Sequence, residues 1–120
     1  MIRLLIVEDQ PGVRQGLRMR LGAEADFSVI GEATDKQSAL ELATLLRPDV
    51  VLMDVDMPRL DGIATACALR SICPHISVIM LSFQDDVSAR RLAEQAGVVA
   101  FVAKSMPADT LLTAIRQVAR

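Results

Sequence analysis

Short apolar runs alternate along the chain with longer stretches in which apolar residues recur every three or four positions. The runs are Ile2–Val7, Phe27–Ile30, Val50–Met53, Ile76–Leu81 and Val98–Ala103, each broken by at most one polar residue. Helical spacing follows each run. It falls at Val13, Leu17 and Leu21; at Ala39, Leu42, Ala43 and Leu46; at Ile63, Ala66, Cys67 and Arg70; at Ala89, Leu92, Ala93 and Ala96; and at Leu111, Ile115, Val118 and Ala119. Breakers mark the ends: Pro48 and Pro74 follow the second and third helices, Gly97 closes the fourth, and Pro107 opens the fifth.

A strand that is apolar on both faces must be covered on both faces, and a parallel sheet between two helical layers does this. Five βα units are too few for an eight-stranded barrel. The expected fold is therefore α/β, a doubly wound, flavodoxin-like parallel sheet of five strands in order 2-1-3-4-5, with five helices on two faces. The helix after the fourth strand is expected to turn an alanine face inward, with Leu92 its one large side chain.

Composition narrows the class. At 120 residues the chain builds one domain, 1–120, and no apolar run approaches the length of a membrane span. "MIRLLIVEDQ" has no signal-peptide form. Cys67 and Cys73, six positions apart and without metal-ligand spacing, are expected to be reduced packing thiols of a cytoplasmic protein. A net charge of −2, no basic patch and only Phe27, Phe83 and Phe101 as aromatics argue against a direct grip on nucleic acid. The last helix runs to Arg120 without a visible cap, as in a chain that continues.

In a doubly wound sheet all strand C-termini share one edge, and ligands bind there where the strand order reverses. The residues after the strands are Glu8 and Asp9 (first), Asp54 (third), Ser82 (fourth) and Lys104 (fifth). Strands one and three flank the reversal, so Glu8, Asp9 and Asp54 are expected to converge, with Ser82 and Lys104 beside them. One ammonium does not balance that many carboxylates. A hard divalent ion does, and Mg²⁺ suits a site of few protein oxygens completed by water. A metal next to a nucleophilic carboxylate, a hydroxyl and an ammonium is suited to phosphoryl transfer. Each residue also has a plainer role open to it. Ser82 with Asp85 forms a capping pattern, Asp56 and Asp61 fit turns or caps, and Glu8-Asp9 fits a solvated turn. Lys104 could snorkel at the surface, Phe101 could pack an edge strand, and His75 reads as a loop residue.

In order and spacing, "VED", "LMDVDMPRLDG", "LS" and "FVAK" resemble the receiver domain of bacterial two-component response regulators over essentially the whole chain. "VIGEATDKQSALELATLLRPDVVLMDV" and "LLTAIRQV" resemble the NarL type. The resemblance implies that Asp54 accepts a phosphoryl group from a histidine kinase. It also implies that Glu8 and Asp9 hold Mg²⁺ together with Asp54 and the backbone carbonyl of Asp56. Lys104 would pair with the phosphoryl group, Ser82 would bond one of its oxygens, and Phe101 would sit at the aromatic switch position.

NarL-type members usually continue into a helix-turn-helix domain. The resemblance therefore implies transcriptional output, contact with DNA only through a domain absent from this chain, homodimers as one assembly, and no turnover of a diffusible substrate. Three residues depart from the common pattern: Glu8 for Asp, bulky Phe83 after Ser82, and Ser105 where many members carry proline. Two other functions stand beside this one. "DVDMP" is similar to the nucleophile motif of haloacid-dehalogenase-type phosphatases, and Phe83 suits an interaction module that works without phosphorylation.

Overall fold

A computed structural model describes residues 1–54, 62–82 and 87–119. The elements in order are β1 (Ile2–Val7), α1 (Pro11–Gly22), β2 (Phe27–Ala33), α2 (Lys36–Leu46), β3 (Val50–Asp54), α3 (Gly62–Ile72), β4 (Ser77–Ser82), α4 (Val87–Gln95), β5 (Ala100–Ala103) and α5 (Ala108–Val118). The strands form one parallel sheet in the order β2-β1-β3-β4-β5. This is the doubly wound fold that the apolar runs require.

The pleat sends alternate side chains to opposite layers. Leu5, Val7, Val51, Met53, Val78 and Met80 meet Ala39, Ala43, Ala66 and Leu69 of α2 and α3. Leu4, Ile6, Leu52, Ile79 and Leu81 meet Leu21, Leu112 and Ile115 of α1 and α5. Each such fully buried aliphatic side chain contributes about 1.5–3 kcal/mol, so the three central strands are the rigid base for whatever follows their C-termini.

Local chemistry sets the ends of α2. Asp35 Oδ1 accepts the Ser38 amide at 2.8 Å, and Ser38 Oγ accepts the Asp35 amide at 3.3 Å, a reciprocal cap. At the other end Arg47 takes the left-handed conformation with φ 50°, and its carbonyl accepts Arg3 Nη1 at 2.8 Å.

Several expectations change. β2 runs on to Ala33, three residues past the predicted Ile30, because an edge strand tolerates half-buried Gly31 and Glu32. A register shift at Leu4/Leu5 lets β1 pair with this extension. β5 starts at Ala100, not Val98, although the Val99 amide still bonds the Val78 carbonyl.

Leu92 does not face inward: it is 51% exposed. Among the described residues the buried ones here are Ala93 of α4 and Ala96 just after it, and a turn of about 100° per residue leaves Leu92 on the flank. Cys67 is likewise exposed, because the inward line of α3 runs through Ala66 and Leu69 to Cys73. Cys73 alone is a packing thiol, directed at the Ala43 carbonyl. No cis peptide occurs among the described residues, so the Lys104–Ser105 bond is trans. None of the described helices is long and apolar enough to cross a membrane.

Candidate functional site

Val7 and Met53 are partners in the β1–β3 ladder, so the residues that follow them leave the sheet side by side. These are Glu8, fully buried, and Asp54, 3% exposed. Across the edge, the Lys104 amide continues the β4–β5 ladder by bonding the Ser82 carbonyl at 2.7 Å. From there Lys104 Nζ reaches Asp54 Oδ2 at 2.7 Å. Ser82 ends β4 one step beyond Leu81, the ladder partner of Asp54, and is itself buried. The structure thus brings Glu8, Asp54, Lys104 and Ser82 to one end of the sheet, with half-buried Asp9 next to Glu8. Asp56 lies outside the described residues, as do Asp61, Phe83 and Asp85.

Burial pushes the Glu8 carboxyl up to about 8. A hydrogen bond with Asp54 and the Asp54 charge add to the rise, while Lys104 and the Gln10 amide oppose it. At neutral pH Glu8 therefore keeps its proton and shares it with Asp54, whose charge Lys104 balances. Once ionised, Glu8 would have the Gln10 amide, 3.3 Å from Oε1, and the Lys104 charge to favour it among the described residues. Glu8 Oε2 and Asp9 Oδ1 are buried without a hydrogen-bond partner among the described residues.

Two orphaned carboxylate oxygens beside a third buried acid test the fit of a metal. An unsatisfied buried acceptor costs about 1–3 kcal/mol, and more when charged; a hard divalent cation removes that cost. Among the described residues no three acids already close on one point. Mg²⁺ does not need them to, because it keeps several waters and takes only a few protein oxygens. The donor set fits that ion.

Two arginines join the site that no periodicity singled out. Arg90 of α4 places its guanidinium carbon 4.9 Å from the centre of the half-buried Phe101 ring. Arg14 of α1 donates from Nη1 to the Glu8 carbonyl at 3.1 Å. Both contacts are tertiary, and the sequence signals only that each arginine lies on a helix. An apolar cavity of about 350 Å³ lies behind the site between α1 and α5, with Leu17, Leu81, Val102 and Leu112 in its wall.

Residues 4–116 match the family model described as "Response regulator receiver domain". The uncharacterized transcriptional regulatory protein YxjL of Bacillus subtilis is 38% identical over 119 residues, 99% of this chain and 55% of that protein. The transcriptional regulatory protein LiaR of the same organism is 39% identical over 120 residues, 97% of this chain and 55% of that protein. Among solved structures, the receiver domain of the putative response regulator NarL from Mycobacterium tuberculosis superposes with a TM-score of 0.91 at 32% identity. That alignment covers 98% of this chain and 95% of the other. The response regulator domain of Thermotoga maritima CheB gives 0.88 at 32% identity, covering 99% and 96%. The chain spans about half the length of the curated relatives it matches. With acids at two adjacent strand ends, a lysine on Asp54 and a family match from residue 4 to residue 116, this chain belongs to the receiver domains of two-component response regulators.

Proposed function

We propose that this receiver domain is the phospho-accepting switch of a cytoplasmic transcriptional regulator. A histidine kinase supplies the phosphoryl group, Asp54 accepts it with Mg²⁺, and a helix-turn-helix domain beyond this chain carries the output to DNA. The observation that carries the reading is the Asp54–Lys104 pair, 2.7 Å apart and nearly closed to solvent at the end of β3. The output half rests on the relatives. YxjL and LiaR are named transcriptional regulatory proteins, and a Staphylococcus aureus structure of 25% identity is titled a DNA-binding response regulator of the LuxR family. Residues 1–120 make up the receiver unit. Domains of this family are regulatory switches and not enzymes that turn over a diffusible substrate.

In the transfer, an Asp54 oxygen attacks phosphorus in line while the bond to the donor nitrogen breaks and its electron pair leaves with that nitrogen. Lys104 moves from Asp54 to a phosphoryl oxygen, and the Ser82 hydroxyl donates to another. Glu8 and Asp9 would hold the metal with Asp54 and the Asp56 carbonyl, for which Glu8 would have to be ionised. Bound there, magnesium supplies positive charge against the charge that develops on the phosphoryl oxygens.

For Ser82 to reach the phosphoryl group, the end of β4 must move inward, which opens space for Phe101 to turn toward the core. The turn breaks the Arg90 contact with the ring, at a cost of about 0.5–1 kcal/mol. Among the described positions only the small residue Ala93 is buried on α4, with Ala96 just after it, so moving that helix disturbs little apolar area. A coupling of a few kcal/mol is enough for such a switch.

Intact-mass spectrometry after incubation with a small phosphodonor and Mg²⁺ tests the acceptor. The expected result is one phosphoryl adduct per chain, absent from Asp54→Asn. An adduct of equal yield in that variant would refute the assignment. Hydrogen exchange with and without beryllofluoride tests the switch, and protection changes should centre on α4 and β5.

A further inference from the structure

We propose that Arg14 is a positioning residue of the metal site, acting on Glu8 and Asp9 through the main chain with Glu32 as its anchor. The inference rests on the reading above of Glu8 and Asp9 as metal-holding residues.

The guanidinium makes two contacts at once. Nη1 donates to the Glu8 carbonyl at 3.1 Å, while Nε lies 3.3 Å from Glu32 Oε1. Both side chains are under a quarter exposed, so the contacts lie within the protein's outer shell and are not waving at its surface. Glu32 is itself fixed. Its other oxygen takes Arg18 Nη1 at 3.1 Å, and its backbone is paired with Ile6 in the β1–β2 ladder.

The Glu8 carbonyl belongs to the peptide that joins Glu8 to Asp9. A peptide is planar, so the plane can rotate only by changing ψ of Glu8 and φ of Asp9 together. Any part of the change that does not cancel between the two turns the Asp9 side chain relative to Glu8. The Glu8 amide is already held by the Ala33 carbonyl at 2.9 Å, and α1 begins with the Arg14 amide on the Gln10 carbonyl at 2.9 Å. Between these two fixed points Arg14 holds the Glu8–Asp9 peptide. The atoms whose aim depends on it are the orphaned oxygens, Glu8 Oε2 and Asp9 Oδ1. A guanidinium offers the carbonyl and the carboxylate donors on two separate nitrogens, here Nη1 and Nε, whereas an ammonium's three donors radiate from one atom.

Removing such an outer partner of a metal ligand typically weakens binding 10- to 100-fold. The test is a Mn²⁺ titration of the full chain followed by electron paramagnetic resonance, alongside thermal melts in EDTA. Arg14→Met and Arg14→Lys are both expected to weaken Mn²⁺ binding by about tenfold, whereas Glu32→Gln, which keeps an acceptor for the fork, should stay within about threefold. If Arg14→Met does not fold, Arg14→Lys keeps the charge and the aliphatic stem and decides the matter. Wild-type affinity in Arg14→Lys, whatever its melting temperature, overturns the inference. A Glu32→Gln loss equal to that of Arg14→Met also overturns it, since the effect would then be charge balance. Wild-type protein that binds no Mn²⁺ refutes the metal reading itself, a result distinct from either.

Discussion

Glu8→Gln separates what burial does to this site from what a cation does. Glutamine keeps the shape and one acceptor but carries no titrating proton. In the unfolded chain Glu8 ionises at its ordinary value of 4.5; in the fold, burial and Asp54 raise it to about 8. Below the unfolded value the carboxyl is neutral in both states and its contribution to stability is complete. As pH rises through the folded value that contribution is lost, because the unfolded chain releases a proton that the fold retains. The slope is about 1.4 kcal/mol per pH unit. From about pH 5 to about pH 7.5 this amounts to at most about 3 kcal/mol. Urea denaturation in EDTA, wild type against Glu8→Gln, measures it. The wild-type stability minus that of the variant should fall steadily across that window and level off above pH 8. Saturating magnesium should then reverse the order, because the metal binds the folded wild type more tightly and stabilises it by mass action. A difference that stays flat with pH would show that the carboxyl is solvated and would remove the electrostatic case for a cation.

Lys104→Met removes the ammonium 2.7 Å from Asp54 and leaves that carboxylate buried beside Glu8. A loss of about 3 kcal/mol near neutral pH is expected in urea denaturation, partly restored by magnesium. Arg90→Ala frees the Phe101 ring, so NMR of labelled phenylalanine should show more of the inward state before phosphorylation; unchanged Phe101 signals would mean that the arginine does not restrain it. Arg116 of α5 bonds Glu24 at 2.8 Å and Asp26 at 2.9 Å, which holds both carboxyls below their ordinary range. Their contribution is present above the unfolded carboxylate range and is lost as pH falls through the lowered values. The melting difference between wild type and Arg116→Ala should therefore vanish in acid and shrink in high salt, and persistence in both would assign it to the Phe27 contact.

Five apolar runs separated by helical spacing were enough to determine the sheet, its parallel sense and the edge at which Glu8, Asp9, Asp54, Ser82 and Lys104 gather. The physical reason is that burial on two faces and the C-terminal rule for strands are properties of periodicity, which is local. Where pattern and context competed, context won. Gly31 and Glu32 lie past the predicted run at Ile30 yet extend β2, because an edge strand needs a partner on one side only. Leu92 and Cys67 fit an apolar spacing yet sit exposed, because the angle at which a helix docks decides which neighbour of a buried alanine turns outward. The raised carboxyl of Glu8, the ring contact of Arg90 and the grip of Arg14 on the Glu8 carbonyl were decided by the tertiary structure alone. Each depends on groups from different elements being brought within a few ångströms, and neither hydropathy nor spacing encodes such distances.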